Sequence, residues 1–294
     1  MDVILAQIVT GLSIASILLL VALGLAIIYG ATGVINMAHG ELVMLGAYSA
    51  WALQTYVGIG LLPGLVIIFF VVGLFGWIIE RVVIRHLYRR PLDTILATWG
   101  IGIMAQQGIR LIVGGELRYV QMPPSMSTGI SLLGFETSAF RLFILAFSAM
   151  LFAFTWFLIY RTSFGMKLRA ITQDREIASC FGIKSQRIYS LTFAYGAGLA
   201  GLAGALVSPL KSVSPEMGTT YVVDAFMVVV VGGVQSLVGT IASAGILGEF
   251  TGFLAFYSND TIAKALVLLG IVILIRFRPQ GLFMSKIRAS STGQ

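Results

Sequence analysis

In a chain whose residues are 58% hydrophobic, the side chains able to do chemistry are few. The densest group lies in Gly30-Ala-Thr-Gly-Val-Ile-Asn-Met-Ala-His-Gly-Glu-Leu-Val-Met-Leu-Gly-Ala-Tyr48, directly after an apolar run over residues 3–29. Asn36, His39 and Glu41 can donate, accept or carry charge, and Gly30, Gly33 and Gly40 loosen the helix around them. An ionisable group inside hydrocarbon is costly and marks function by default. Peptide groups freed by a broken helix must be buried in protein or line a path. The stretch therefore reads as a route for a polar solute. The plainer reading stands beside it: Asn36 and His39 cap loosened backbone, and Glu41 sits in the first turn of the next helix, where an anion suits the macrodipole. His39-Gly-Glu41 has the look of a metal pair, but His86 is the only other histidine and Cys180 the only cysteine. A ligand set needs more, so neither a metal nor a cofactor is expected.

Four further places carry polar groups within apolar runs. Gln106 and Gln107 are adjacent, so on a helix they face different ways; one suits a path and the other a bond between helices. Gln235 and Ser236 follow Gly232-Gly233 in a second glycine-rich interruption, Val228-Val-Val-Val-Gly-Gly-Val-Gln-Ser-Leu-Val-Gly239. Asp224 is placed near the outer end of its run and Glu249 deeper in its own. Two interrupted hydrophobic segments with the same grammar form an internal echo, which points to a path at a repeat interface. The substrate-path candidates are thus Asn36, His39, Glu41, Gln106, Gln107, Gln235, Ser236 and Glu249. No nucleophile–base set appears, which leaves an intramembrane enzyme remote.

The elements that position these groups follow from composition. The 294 residues include only 11% charged, and mean hydropathy is +0.96; a soluble globule carries about 25% charged residues. The apolar runs are continuous over roughly 20 residues rather than alternating. The fold class is an all-α polytopic membrane protein. Met1-Asp2 lacks the basic start of a cleavable signal, so the first run is expected to stay as a membrane helix. Of the 19 Lys and Arg, 14 fall in three clusters, at residues 81–90, 161–187 and 276–288. Lys and Arg accumulate on the cytoplasmic side, which places all three there and accounts for the net charge of +7 without nucleic acid. The predicted spans are residues 3–29, 41–56, 61–84, 94–113, 140–160, 188–207, 222–233, 237–257 and 262–277. That makes nine crossings in a range of eight to ten, with an external N-terminus and a cytoplasmic C-terminus. Residues 114–139, with Pro123-Pro124, read as an ordered extracytoplasmic loop. The whole chain, residues 1–294, reads as one transmembrane domain with a cytoplasmic loop at 161–187.

That loop carries a short amphipathic helix. Ile177, Ala178, Phe181 and Ala170 approximate one face, Asp174, Arg175 and Glu176 are polar around it, and Gly182 is a natural stop. Such a helix suits either a groove on a partner or the headgroup layer. Gly196, Gly198, Gly201 and Gly204, interleaved with alanines, predict close helix packing rather than phosphate binding.

Three segments together resemble a known family: Gly33-Val-Ile-Asn-Met-Ala-His-Gly-Glu41, the loop from Arg169 to Ile183, and Val231-Gly-Gly-Val-Gln-Ser-Leu-Val-Gly-Thr240. They resemble the high-affinity branched-chain amino-acid permeases of ABC importers, and the likeness runs to Arg278-Pro-Gln-Gly-Leu-Phe283. Asn36 to Leu42, Gln106-Gln107 and the run from Tyr221 to Gly233 look closest to the urea-transport branch. The resemblance implies a multi-pass permease of the bacterial inner membrane, paired with a homologous second permease. Two cytoplasmic ATP-binding subunits and an extracytoplasmic solute-binding protein would complete it. It makes Asp174, Glu176, Ala178, Phe181 and Gly182 the ATPase-coupling set. The chain has no Gly-x-x-x-x-Gly-Lys-Ser/Thr cradle, so ATP hydrolysis is expected in a partner. The likeness to the urea-transport branch makes urea or a related amide the leading solute, and the lack of an evident intramembrane cation near the polar candidates leans the same way. A branched-chain amino acid is the alternative, and a passive small-solute channel is a reading of a different class.

Overall fold

The computed structural model describes residues 2–283 apart from 89, 128, 133–134, 235 and 279–280. Each of the nine predicted crossings is a helix. They are α1 (Asp2–Thr32), α2 (His39–Ala52), α3 (Leu61–Val82), α4 (Pro91–Val113) and α5 (Ala139–Arg161), then α8 (Ser185–Val207), α9 (Met217–Gly232), α10 (Leu237–Tyr257) and α11 (Asp260–Phe277). Two short helices, α6 (Ser163–Gln173) and α7 (Arg175–Cys180), fill the long basic loop. By length and composition α1, α3, α5, α8 and α10 are able to cross a membrane, and α9 is a shorter apolar helix. The loop at 114–139 departs from all-α architecture with an antiparallel hairpin of β1 (Gly129–Leu132) and β2 (Phe135–Ser138) and a single antiparallel bridge from Arg118 to Val213. The end of the molecule bearing α6 and α7 is called the basic end below, and the opposite end the hairpin end.

Hydrocarbon gives helices no hydrophobic reason to associate, so close approach of backbones must supply the packing. The glycines of α8 do this on both of its sides. A Cβ at Gly196 would press on Ile28 and the Gly24 carbonyl of α1, and one at Gly204 would fall on the Val43 carbonyl of α2. Gly73 and Gly76 of α3 meet Ala194 and Ala197, and Gly248 of α10 meets Ala15 of α1. α1 and α8 are thereby the buried centre, with α2, α3, α9 and α10 around them. The outer helices turn large apolar side chains such as Phe70, Leu74, Leu111 and Leu268 outward, as a lipid-facing wall requires.

The first interruption differs in detail from expectation. Gly30 and Gly40 stay helical, and only residues 33–38 leave the helix, with Gly33 at φ +68°. Gly30 and Gly40 are instead places of close approach: the Gly218 carbonyl fills the space a Gly40 side chain would need, and the Val234 carbonyl lies 3.2 Å from where a Gly30 Cβ would be. Val234 of the second interruption thus lies against the last turn of α1, just before the first interruption begins.

Candidate functional site

After Thr32 the chain turns back on itself. His39 Nε2 hydrogen-bonds the Val21 carbonyl at 3.0 Å, about three turns back along α1, or roughly 16 Å at 1.5 Å per residue. Six non-helical residues cover that climb, so α2 begins inside the molecule rather than at its end. Its 14 residues reach only about 21 Å, short of a ~30 Å hydrocarbon layer. α9, of 16 residues, is short for the same reason. The two half-length helices start at one level, Gly40 resting against Gly218 and Val222. Their N-termini, each with the partial positive charge of a helix start, thus converge.

Glu41 occupies the convergence. Its carboxylate lies against Gly218 at the start of α9, and its Cγ is 3.4 Å from the Cβ position of Gly102 on α4. An anion is favoured between two helix N-termini. Asn36 accepts from the Ala38 N–H at 3.1 Å in an Asx turn, and the Met37 N–H donates to Thr98 Oγ1 at 3.1 Å. Part of the capping reading is therefore met. Among the described residues, three buried atoms of this stretch remain without a hydrogen-bond partner: Asn36 Nδ2, His39 Nδ1 and Glu41 Oε2. Buried polar atoms are nearly always paired. Three orphans within six residues are therefore the exception that sets this stretch apart.

The other path candidates do not gather there. Gln106 is half-buried one turn beyond Gly102 on the same face of α4, whereas Gln107 points outward and is exposed. Ser236 caps α10 at the basic end, its Oγ accepting from the Gly239 N–H at 2.9 Å. Glu249 packs over Gly11 at the α1–α10 contact, well away from Glu41. Gln235 lies outside the described residues, as do Arg89, Lys286 and Arg288 of the basic clusters. The second interruption is closed by the tail: Leu282 N–H donates to the Val231 carbonyl at 2.8 Å, and Gly281, at φ +80°, lies under Gly233.

The basic loop folds as a braced platform. Asp174 caps α7, accepting from the N–H groups of Glu176 and Ile177, both at 2.9 Å. Gly182 ends it at φ +79°, with Ile183 N–H returned to the Ala178 carbonyl at 3.2 Å in a Schellman closure. The face assigned from sequence is split. Ala178 is only 4% exposed and packs with Ala31, Leu168, Ile171, Ile188 and Tyr189, while Ile177 (58%) and Phe181 (82%) point away. The reason is the 100° step between adjacent helical residues, which puts Ile177 and Phe181 on one line and Ala178 on the next. Ala178 thus anchors the loop, and the exposed pair, with Glu176 beside it, is what another molecule would meet.

Two polar features were not legible beforehand. Glu80, in the third span, is buried, accepting from Tyr88 Oη at 2.7 Å and from the Ser190 hydroxyl. Burial, with the Glu80 carboxylate beside it, pushes the Tyr88 hydroxyl pKa up, so Tyr88 remains a donor. Asp224, placed near the outer end of its run, is buried and takes a hydrogen bond from Lys264 Nζ at 2.8 Å. The position of Lys264 two residues into the last predicted span was the only signal that it gave.

Comparisons with known proteins agree with this architecture. A family described as branched-chain amino acid transport system, permease component, matches residues 7–276. The chain is 30% identical over 296 residues to BraD, a high-affinity branched-chain amino acid transport system permease protein of Pseudomonas aeruginosa, covering 95% of each chain. LivH of Escherichia coli, of the same description, is 30% identical over 292 residues, covering 92% of this chain and 93% of its own. A probable branched-chain amino acid transport permease of Methanocaldococcus jannaschii is 26% identical over 269 residues, covering 88% and 84%. No solved structure matches.

Proposed function

Because this chain belongs to the permease family of branched-chain amino acid transport systems, we propose that it forms the membrane path by which an ABC importer carries branched-chain amino acids inward. It is a permease subunit and not an enzyme; ATP is hydrolysed in separate subunits. The observation that carries the substrate reading is the likeness to BraD and LivH over more than nine-tenths of the chain. The urea reading rested on the likeness of residues 36–42, 106–107 and 221–233 to the urea-transport branch and on the lack of a cation near the polar candidates, and the family and relatives matched here favour the alternative. None of the relatives named above is described as carrying urea.

In this reading the whole chain is one membrane domain of the inner membrane. The basic end, with α6, α7 and the C-terminus, faces the cytoplasm, and the hairpin end faces the solute-binding protein. Ile177 and Phe181 seat in an ATP-binding subunit, and a homologous permease completes the pair. The solute passes by the converging starts of α2 and α9, where the orphaned atoms of Asn36, His39 and Glu41 give it successive polar partners. The test is uptake by the complex reconstituted in liposomes with its ATP-binding and solute-binding partners. ATP-dependent accumulation of leucine, and not of urea, is the expected result. Accumulation of urea alone, or leucine entry that persists without ATP, would overturn the proposal.

A further inference from the structure

We propose that the cavity enclosed by α1, α9, α10 and α11 is a binding site for a free α-amino acid with an aliphatic side chain, a reading that deepens the proposed function and rests on it. The cavity measures about 290 Å³, at the low end of the roughly 300–1,000 Å³ usual for small-molecule sites. Its mouth and its depth differ in chemistry. Arg141, Lys211 and Asp260 stand at the hairpin end, Asp224 and Lys264 lie below them, and Ile14, Leu18, Val228, Leu247 and Val267 close the depth.

The charges are unequal in a way that names a ligand group. Five Lys and Arg lie outside the three basic clusters: Arg110, Arg118, Arg141, Lys211 and Lys264. Four have a carboxylate within 4 Å, namely Glu216, Glu116, Asp260 and Asp224. Among the described residues Arg141 has none; its Nη1 is 3.5 Å from Thr10 Oγ1. A guanidinium at a partly desolvated wall is matched by a carboxylate, which it can hold in two parallel hydrogen bonds. Asp224 accepts from Lys264 Nζ at Oδ2, and among the described residues no donor reaches its Oδ1, which can accept from an ammonium. Cation, anion and an apolar depth then fit the carboxylate, amine and branched side chain of one zwitterion. Urea has no use for the apolar half, and an acyl chain none for the paired charges.

The experiment uses the whole transporter in nanodiscs, with Cys180→Ser removing the native thiol and Met227→Cys placing one on the cavity wall. The rate of labelling by a membrane-impermeant thiol reagent is read with saturating leucine, leucinol or urea. Leucine is expected to slow labelling by at least about tenfold, about 1.4 kcal/mol of discrimination. Leucinol, lacking the carboxylate, and urea should leave it nearly unchanged, and Arg141→Gln should abolish the leucine effect while the subunits still copurify. Failure of leucine to protect, in a preparation that does import leucine, would overturn the site and leave the proposed function standing. Equal protection by leucine and leucinol, or protection that survives Arg141→Gln, would overturn the carboxylate assignment on which the site is built. A preparation that imports no leucine would sink the proposed function and the site together.

Discussion

Gly182 offers a clean separation of backbone conformation from bulk. It ends α7 at φ +79°, and no atom lies within 4 Å of the position its Cβ would take. A larger residue there meets no obstacle, so its cost is conformational alone. For an L residue the left-handed region costs about 1–2 kcal/mol, and a β-branched residue is worse placed than most. One to two kcal/mol is a factor of about 5–30 in the population of the closed turn. That turn carries the return of Ile183 N–H to the Ala178 carbonyl, which fixes the direction of Ile177 and Phe181. Gly182→Val should therefore lower ATPase-subunit recovery and leucine-coupled ATP turnover by about 5–30-fold without affecting insertion. Gly182→Asn, which tolerates the left-handed region, should stay near wild type. Copurification stoichiometry and coupled turnover in nanodiscs provide the measure. A Val variant that couples normally, or an Asn variant as damaged as Val, would refute the argument.

Four other perturbations discriminate among the structural claims. Phe181→Ala and Ile177→Ala remove exposed side chains, so chain stability should hold within about 0.5 kcal/mol while ATPase affinity falls by at least ~1 kcal/mol, read by titration of the ATP-binding subunit. Glu41→Ala takes the anion from between two helix N-termini and should cut leucine uptake at least about tenfold with assembly intact; wild-type uptake would reduce Glu41 to a helix-start residue. Gly204→Val drives a side chain onto the Val43 carbonyl and should destabilise by about 1–3 kcal/mol or more, whereas Gly245→Ala, in open space, should not lower the melting point. Tyr88→Phe strips the buried Glu80 carboxylate of a donor and should cost about 1–3 kcal/mol, seen as a lower unfolding midpoint in nanodiscs.

The sequence exposed the spans because apolar runs long enough to cross a bilayer announce themselves by length, and Leu237–Tyr257 falls where it was expected to the residue. Gly182 was legible because a glycine after a short amphipathic run has one common use. Facing was harder. In helices that are apolar on every side, periodicity does not say which side is inward, so Gln106 and Gln107 remained undivided and Ala178 was grouped with Phe181. Pairings between distant residues left no local trace. Lys264 meets Asp224 across forty positions, and Glu80 meets Ser190 across more than a hundred. Gly30 and Gly40 were taken as weak points of the helix when their role is to admit a neighbouring carbonyl. Loosened backbone and close approach ask for the same residue.

The claim on which the rest depends is that the solute passes the first interruption and leaves at the basic end, where Val234 of the second lies against the last turn of α1. Cross-linking Gly30→Cys to Val234→Cys in a Cys180→Ser background tests it most directly, because the Val234 carbonyl lies 3.2 Å from the Gly30 Cβ position. The account predicts a cross-link that forms readily, stops leucine uptake with the ATP-binding subunits still attached, and releases it on reduction. A pair that will not cross-link, or a locked transporter that imports leucine at the full rate, would contradict it.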